Sequence, residues 1–340
     1  MKRVCYADSL RICAAFMVVL LHVSAQYWNV TAVSSNEWKT FNFYDSLARP
    51  AVPIFVMLSG MFLLEPQRKL SLQYIFVKYC KRFFLIFIIW SAFYATWYNV
   101  FWSIYRQREI YWENVLQAFL TGHYHLWYCE MLLGLYLILP FLRQIATNKH
   151  LTEYFLSLTL CFTVILPVLP WQWFRILQAN SYFYFTSGFV GYFLLGYYLK
   201  NRLLSPIMQF IIYLLGILGF SYTVFASQYE SIVLNTAFGY YDPWLPNIVC
   251  MTVAVFVFFQ YAINPYLERY ASLLEIVSQH MLGVYLIHPF VMIILEKLNI
   301  TILLFPVQLS IPFFSIIIFF ISYISSYLLK KIPILGNLLC

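Results

Sequence analysis

Ten stretches of mostly apolar residues dominate this chain, near residues 10–28, 47–64, 82–102, 126–142, 153–170, 183–199, 207–227, 245–263, 281–298 and 308–329. About twenty apolar residues in a helix span the hydrocarbon core of a bilayer, and in lipid each such segment must satisfy its own backbone polar groups. The expected fold is therefore all-α, a polytopic integral membrane protein with about ten transmembrane helices. Composition agrees, with 63% hydrophobic and 10% charged residues and a mean hydropathy of +0.75. A soluble domain is roughly a quarter charged. No Gly/Ser linker or low-complexity segment interrupts residues 1–340, which read as a single transmembrane domain.

Lys and Arg set the orientation. With both termini in the cytoplasm, fifteen of them fall on the inner side and six on the outer. That bias satisfies the positive-inside rule and requires an even number of spans. Aromatic residues crowd the expected outer loops, as in WYNVFWSIY (97–105) and WQWF (171–174), where amphipathic rings favour the interface. The net charge of +8 belongs to these loops and implies no nucleic-acid partner. Seven cysteines occur singly, with no C-x-x-C, so neither a disulfide framework nor a metal cluster is expected. No Walker loop or dinucleotide fingerprint occurs.

The first span, within MKRVCYADSLRICAAFMVVLLHVSAQ, carries Asp8, Arg11 and His22. Its basic start and small residues at Ser24-Ala25 imitate a secretory signal, but Arg11 and His22 inside it argue for a retained helix. An ionisable side chain within a span is expensive and points to function. Eleven residues separate Arg11 from His22, so both project from one helix face about 16 Å apart. Asp8, one turn before Arg11, is placed to pair with it.

Further polar residues punctuate the later spans. The basic loop after the second span holds Arg68, Lys69, Lys78, Lys81 and Arg82, suited to orientation, anionic headgroups or the phosphates of a cytosolic donor. His123, His125, Trp127 and Tyr128 open the fourth span; on a helix the two histidines diverge, so no metal pair is expected. Asp242, in the outer loop GYYDPWLPN (239–247), is placed to face a substrate. In SQHMLGVYLIHPF (278–290), His288 falls near mid-bilayer, whereas His280 at the inner edge reads as solvated.

These motifs, in this order, resemble the membrane-bound acyltransferase-3 family. The resemblance is carried by YADSLRICAAFMVVLLH, RPAVPIFVMLSG, YHLWYCEMLLGLYLILP and SQHMLGVYLIHP, and H-V-S-A-Q-Y-W is similar to the branch of the enterobacterial common antigen O-acetyltransferase. It implies transfer of an acyl group, usually acetyl from cytosolic acetyl-CoA, to a hydroxyl of a cell-surface or lipid-linked glycan. It also implies an inner-membrane location among membrane lipids and polysaccharide biosynthesis proteins as partners. By the same resemblance His22 and Arg11 match the family's essential residues. The chemistry of acyl transfer fits: His22 would act as general base or acyl carrier, and Arg11, His288 or Tyr285 are the candidates to donate to the anionic intermediate at the catalytic centre. Lys78, Lys81 and Arg82 stand where relatives carry an R-x-x-R motif associated with the donor, and Arg11 is a second candidate for its phosphates. His125, Trp127, Tyr128 and Asp242 are the candidates for acceptor binding. The alternative is an exporter of polysaccharide or lipid-linked sugar, because some relatives are assigned to glycan export.

Overall fold

The computed structural model describes residues 4–168, 188–333 and 336; the WQWF motif (171–174) lies outside the described residues. The principal helices are α1 (Cys5–Ala25), α2 (Asn36–Ala48), α3 (Ala51–Leu63), α4 (Lys81–Thr96), α5 (Trp112–Thr121), α6 (Trp127–Leu137), α7 (Leu139–Thr147) and α8 (Lys149–Thr159). They continue with α9 (Val190–Lys200), α10 (Pro206–Leu234), α11 (Pro246–Phe258), α12 (Ala271–Ser278), α13 (Met281–Lys297) and α14 (Val307–Lys330).

Among the described residues, seven helical stretches are long and apolar enough to cross a membrane: Cys5–Ala25, Asn36–Leu63, Leu72–Tyr105, Lys149–Val168, Pro206–Leu234, Pro246–Ser278 and Val307–Lys330. The pair α6 and α7 makes an eighth if taken as one span, bent by 60°. Pro140 in the first turn of α7 accounts for the bend, since it lacks the N–H that would continue the ladder. The remaining two expected spans coincide with shorter helices. Helix α9 has 11 residues and α13 has 17. The second span begins at Asn36 rather than near residue 47, because Ser35 caps α2 by accepting the Trp38 N–H at 3.1 Å.

The chain divides into two compact units, Met1–Phe62 with Asn148–Leu328, and Leu63–Thr147 with Leu329–Cys340. In the larger unit α1 packs against α2, α12 and α13, and α10 packs along α11. The face of α10 turned inward is a stripe of small residues, Gly216, Gly219, Thr223, Ser227 and Ser231. Lipid tails are as apolar as leucine, so helices associate by close packing and interhelical hydrogen bonds rather than by hydrophobic burial. The Asn247 side-chain amide accordingly donates to Thr223 Oγ1 at 2.8 Å. Large apolar side chains such as Ile217, Phe225 and Val233 remain exposed on the other faces.

Backbones meet most closely where α3 crosses α9. A Cβ added at Gly60 would collide with the Phe193 carbonyl, and one at Gly196 with the Met57 carbonyl. Hydrogen alone fits at both points.

In the smaller unit the Leu72–Tyr105 helix packs against α5 and α6. Arg143 on α7 closes the loop that follows α3. Its Nη1 donates to the carbonyls of Leu63 (2.5 Å) and Glu65 (3.2 Å), and its Nη2 to that of Arg68 (2.7 Å). One guanidinium thus satisfies three carbonyls at a helix end, where unpaired acceptors accumulate.

Candidate active site

α1 is an unbroken helix, so its rise holds Arg11 and His22 about 16 Å apart. The two ends of this helix have different surroundings. At the first, Arg11 Nη1 donates to Asp8 Oδ1 at 3.1 Å, and the Ser278 hydroxyl at the end of α12 donates to the same oxygen at 2.8 Å. The Arg11 guanidinium also lies 5.8 Å from the Phe62 ring. Asp8 is buried and Arg11 half-buried. The carboxylate therefore orients the guanidinium, and Ser278 orients the carboxylate.

At the other end, His22 occupies the last turn of α1. Its ring stacks on that of His288 from α13, with centroids 5.1 Å apart and 28° between the planes. His288 is fully buried and His22 half-buried. His288 Nδ1 lies 3.1 Å from the Val284 carbonyl. A carbonyl only accepts, so Nδ1 carries the proton, and in a neutral ring Nε2 is then the basic nitrogen. Pro289 follows directly and interrupts the helical ladder beside the imidazole. The Tyr285 ring is 6.3 Å from His288. Two imidazoles from different helices therefore meet, with a phenol ring beside one of them, and imidazole is a group suited to moving a proton.

The remaining candidates divide between the units. Asp242, in the same unit as His22, is exposed and accepts the Trp244 N–H at 2.9 Å, closing the turn before α11. Lys78, Lys81 and Arg82 belong to the smaller unit, as do His125, Trp127 and Tyr128. Lys78 sits in a π-helical segment, Ile75–Cys80, with its Nζ 5.0 Å from the Tyr74 ring, and Lys81 and Arg82 open α4. Lys78 and Lys81 are exposed. Arg68 lies 6.0 Å from the Tyr79 ring, adding a cation from the loop that Arg143 holds.

His123 and His125 do not diverge, because they lie in the turn before α6 rather than on it. Their Nδ1 atoms are 2.7 Å apart, one donating and the other accepting. His123 stacks on Tyr94 at 4.2 Å, and burial pulls its pKa down from 6.5 to about 4. His125 and Tyr128 are buried, whereas Trp127 is exposed. Among the described residues no group of three or more His, Cys, Asp or Glu is placed to hold a metal ion. His280 departs from its expected solvated position. It is 5% exposed, with the rings of Tyr323 and Tyr327 edge-on at 5.4 and 5.6 Å, because α14 covers it.

Sequence reasoning missed Ser278 as the partner of Asp8 and Arg143 as the clamp of the basic loop. Both contacts depend on distant segments meeting, which no local pattern signals.

Residues 6–330 match the acyltransferase domain of the acyltransferase-3 family. No curated protein and no solved structure matches the chain. The family match takes in both histidines of the stacked pair, the Asp8–Arg11–Ser278 cluster and all the candidate spans but the first residue of α1. This chain belongs to the acyltransferase-3 family and is a multi-pass membrane acyltransferase.

Proposed function

We propose that this acyltransferase moves an acetyl group from cytosolic acetyl-CoA to a hydroxyl of a cell-surface or lipid-linked glycan, at a site centred on His22. The observation that carries the reading is the stack of His22 on His288. It is a pair of imidazoles from two helices, within a protein whose family transfers acyl groups.

In direct transfer, His22 takes the proton from the acceptor hydroxyl as its oxygen attacks the thioester carbonyl. The tetrahedral intermediate collapses, the C–S bond breaks, and the CoA thiolate leaves and takes up a proton. In the alternative, His22 attacks first and carries the acetyl group on nitrogen until the acceptor oxygen displaces it. Both routes use the same imidazole. His288, held by Val284, keeps a defined tautomer against His22, and Tyr285 is a hydroxyl donor for the developing oxyanion.

Arg11 is too far along α1 to touch His22 and is assigned to the donor's phosphates, with Lys78, Lys81 and Arg82 as further cationic contacts. His125, Trp127 and Tyr128 are assigned to the acceptor. Asp242 is assigned to shaping the loop at the acceptor side. The protein is placed in the inner membrane with both termini cytoplasmic, in keeping with its Lys/Arg distribution.

The test is mass spectrometry of surface and lipid-linked glycans from wild-type, deletion and His22→Ala cells. An acetyl increment present in wild type and lost in both mutants is the expected result. Unchanged acetylation with reduced surface glycan would instead identify a transporter, and the donor assignment would be withdrawn.

A further inference from the structure

The larger unit holds a second buried polar cluster, for which the reaction above has no use. Asp45, on α2, is 1% exposed. Its Oδ2 accepts from Arg49 Nη2 at 2.7 Å. Its other oxygen, Oδ1, has no hydrogen-bond partner, and neither has Arg49 Nε, although both atoms are buried. The Arg49 guanidinium lies 3.7 Å from the Tyr241 ring. The Tyr241 hydroxyl donates to Asn42 Oδ1 at 2.6 Å, and its ring is 5.4 Å from that of Trp28. Trp28 in turn packs on Trp38 at 4.4 Å, with the Trp38 indole N–H donating to the Trp28 carbonyl.

Buried polar atoms are nearly always satisfied, and an orphan costs about 1–3 kcal/mol, more when charged. Here an orphan acceptor and an orphan donor sit on the two members of one ion pair. A single hydroxyl group meets both needs, since its hydrogen donates to Asp45 Oδ1 while its oxygen accepts from Arg49 Nε. The pair is neutral overall, so it offers no net attraction to an anion. Its rim of Trp28, Arg49 and Tyr241 is half-buried, and the aromatic rings there are of the kind that suits the C–H face of a sugar. Trp28 follows His22 by six residues in the chain.

We propose that Asp45, Arg49, Tyr241 and Trp28 form a subsite that binds a hydroxyl of a neutral saccharide acceptor. This rests on the reading of the acceptor as a glycan. Asp45 and Arg49 supply the hydrogen bonds, and the rings of Tyr241 and Trp28 supply the platform.

The test uses the full chain in lipid nanodiscs, titrated with the methyl glycosides of glucose, galactose and N-acetylglucosamine, with tryptophan fluorescence as the readout. Saturable binding of at least one glycoside is expected, with Kd raised at least tenfold by Asp45→Asn or Arg49→Gln. Trp28→Leu leaves the ion pair in place and is expected to raise Kd at least fivefold. The proposal is overturned if wild type binds none of the glycosides, which would leave the pair filled by a water only. It is equally overturned if Trp28→Leu binds as wild type does while the other two variants fail to fold. Acetyl-CoA hydrolysis by the wild-type protein is measured separately. Its absence beside intact glycoside binding would remove the donor assignment and leave the subsite standing, whereas hydrolysis without glycoside binding would remove the subsite alone.

Discussion

The imidazoles of His22 and His288 stack with 5.1 Å between centroids and 28° between planes, although they come from α1 and α13. Within the stack the His288 ring is further held by a hydrogen bond from its Nδ1 to the Val284 carbonyl. Removing either ring should therefore affect the chemistry differently from the fold. His22→Ala is expected to lower acetyl transfer by about 10²–10⁴-fold, the usual worth of a positioned acid–base group. His288→Phe keeps an aromatic ring in the stack but no nitrogen, and is expected to lose activity without losing membrane level. Turnover by purified protein in nanodiscs checks both, and near-normal activity in either variant would remove that histidine from the reaction.

The Asp8–Arg11–Ser278 cluster makes a graded prediction. Ser278→Ala removes one hydrogen bond to Asp8 and is expected to raise KM for acetyl-CoA roughly threefold to tenfold, the equivalent of a typical net hydrogen bond. The kcat should change less than the KM. A fall in kcat with KM untouched would mean that Arg11 serves the chemical step rather than donor binding.

Arg143→Ala leaves three loop carbonyls without their donor. A loss of about 2–4 kcal/mol is expected, less than three separate charged hydrogen bonds because the loop relaxes. Thermal unfolding in detergent, compared with Arg143→Lys, measures it. Lysine offers a point charge rather than a fork and should restore only part of the stability. An unchanged melting temperature in Arg143→Ala would show that the loop does not depend on the clamp.

Gly196→Leu drives a side chain into the Met57 backbone, where only a shift of α9 away from α3 makes room. The expected result is loss of the folded, monodisperse protein, and Gly60→Leu should do the same. A well-folded variant at either position would contradict the close crossing.

His123 gives a pH signature. Burial lowers its folded-state pKa to about 4 from 6.5 in the unfolded chain, so between these values the unfolded chain binds the extra proton. The stability contributed by neutral His123 is thus fully present above pH 6.5 and is lost as pH falls toward 4. His123→Phe keeps the stack on Tyr94 without the titration. Its melting temperature should fall less than that of wild type between pH 7 and pH 5, and parallel profiles would argue against the assignment.

The helical, membrane-spanning class was legible because lipid imposes it locally. A run of apolar residues leaves no other way to satisfy its backbone, whatever the rest of the chain does. The Asp8–Arg11 pair and the common face of Arg11 and His22 were legible for the same reason, since helical rise and pitch depend only on neighbours. The shorter α9 and α13 and the bend between α6 and α7 were not read from hydropathy alone, which registers apolar length and not where a ladder breaks. Only tertiary structure set His22 on His288, turned His125 toward His123, gave Asp242 to a turn and covered His280 with α14. Asp45 and Arg49 are one turn apart in YDSLAR, and the sequence shows that they can pair. That they do so buried, with an orphan atom each beneath Tyr241, follows from a loop nearly two hundred residues away. Spacing along a helix is local physics, whereas burial and company are properties of the packed whole.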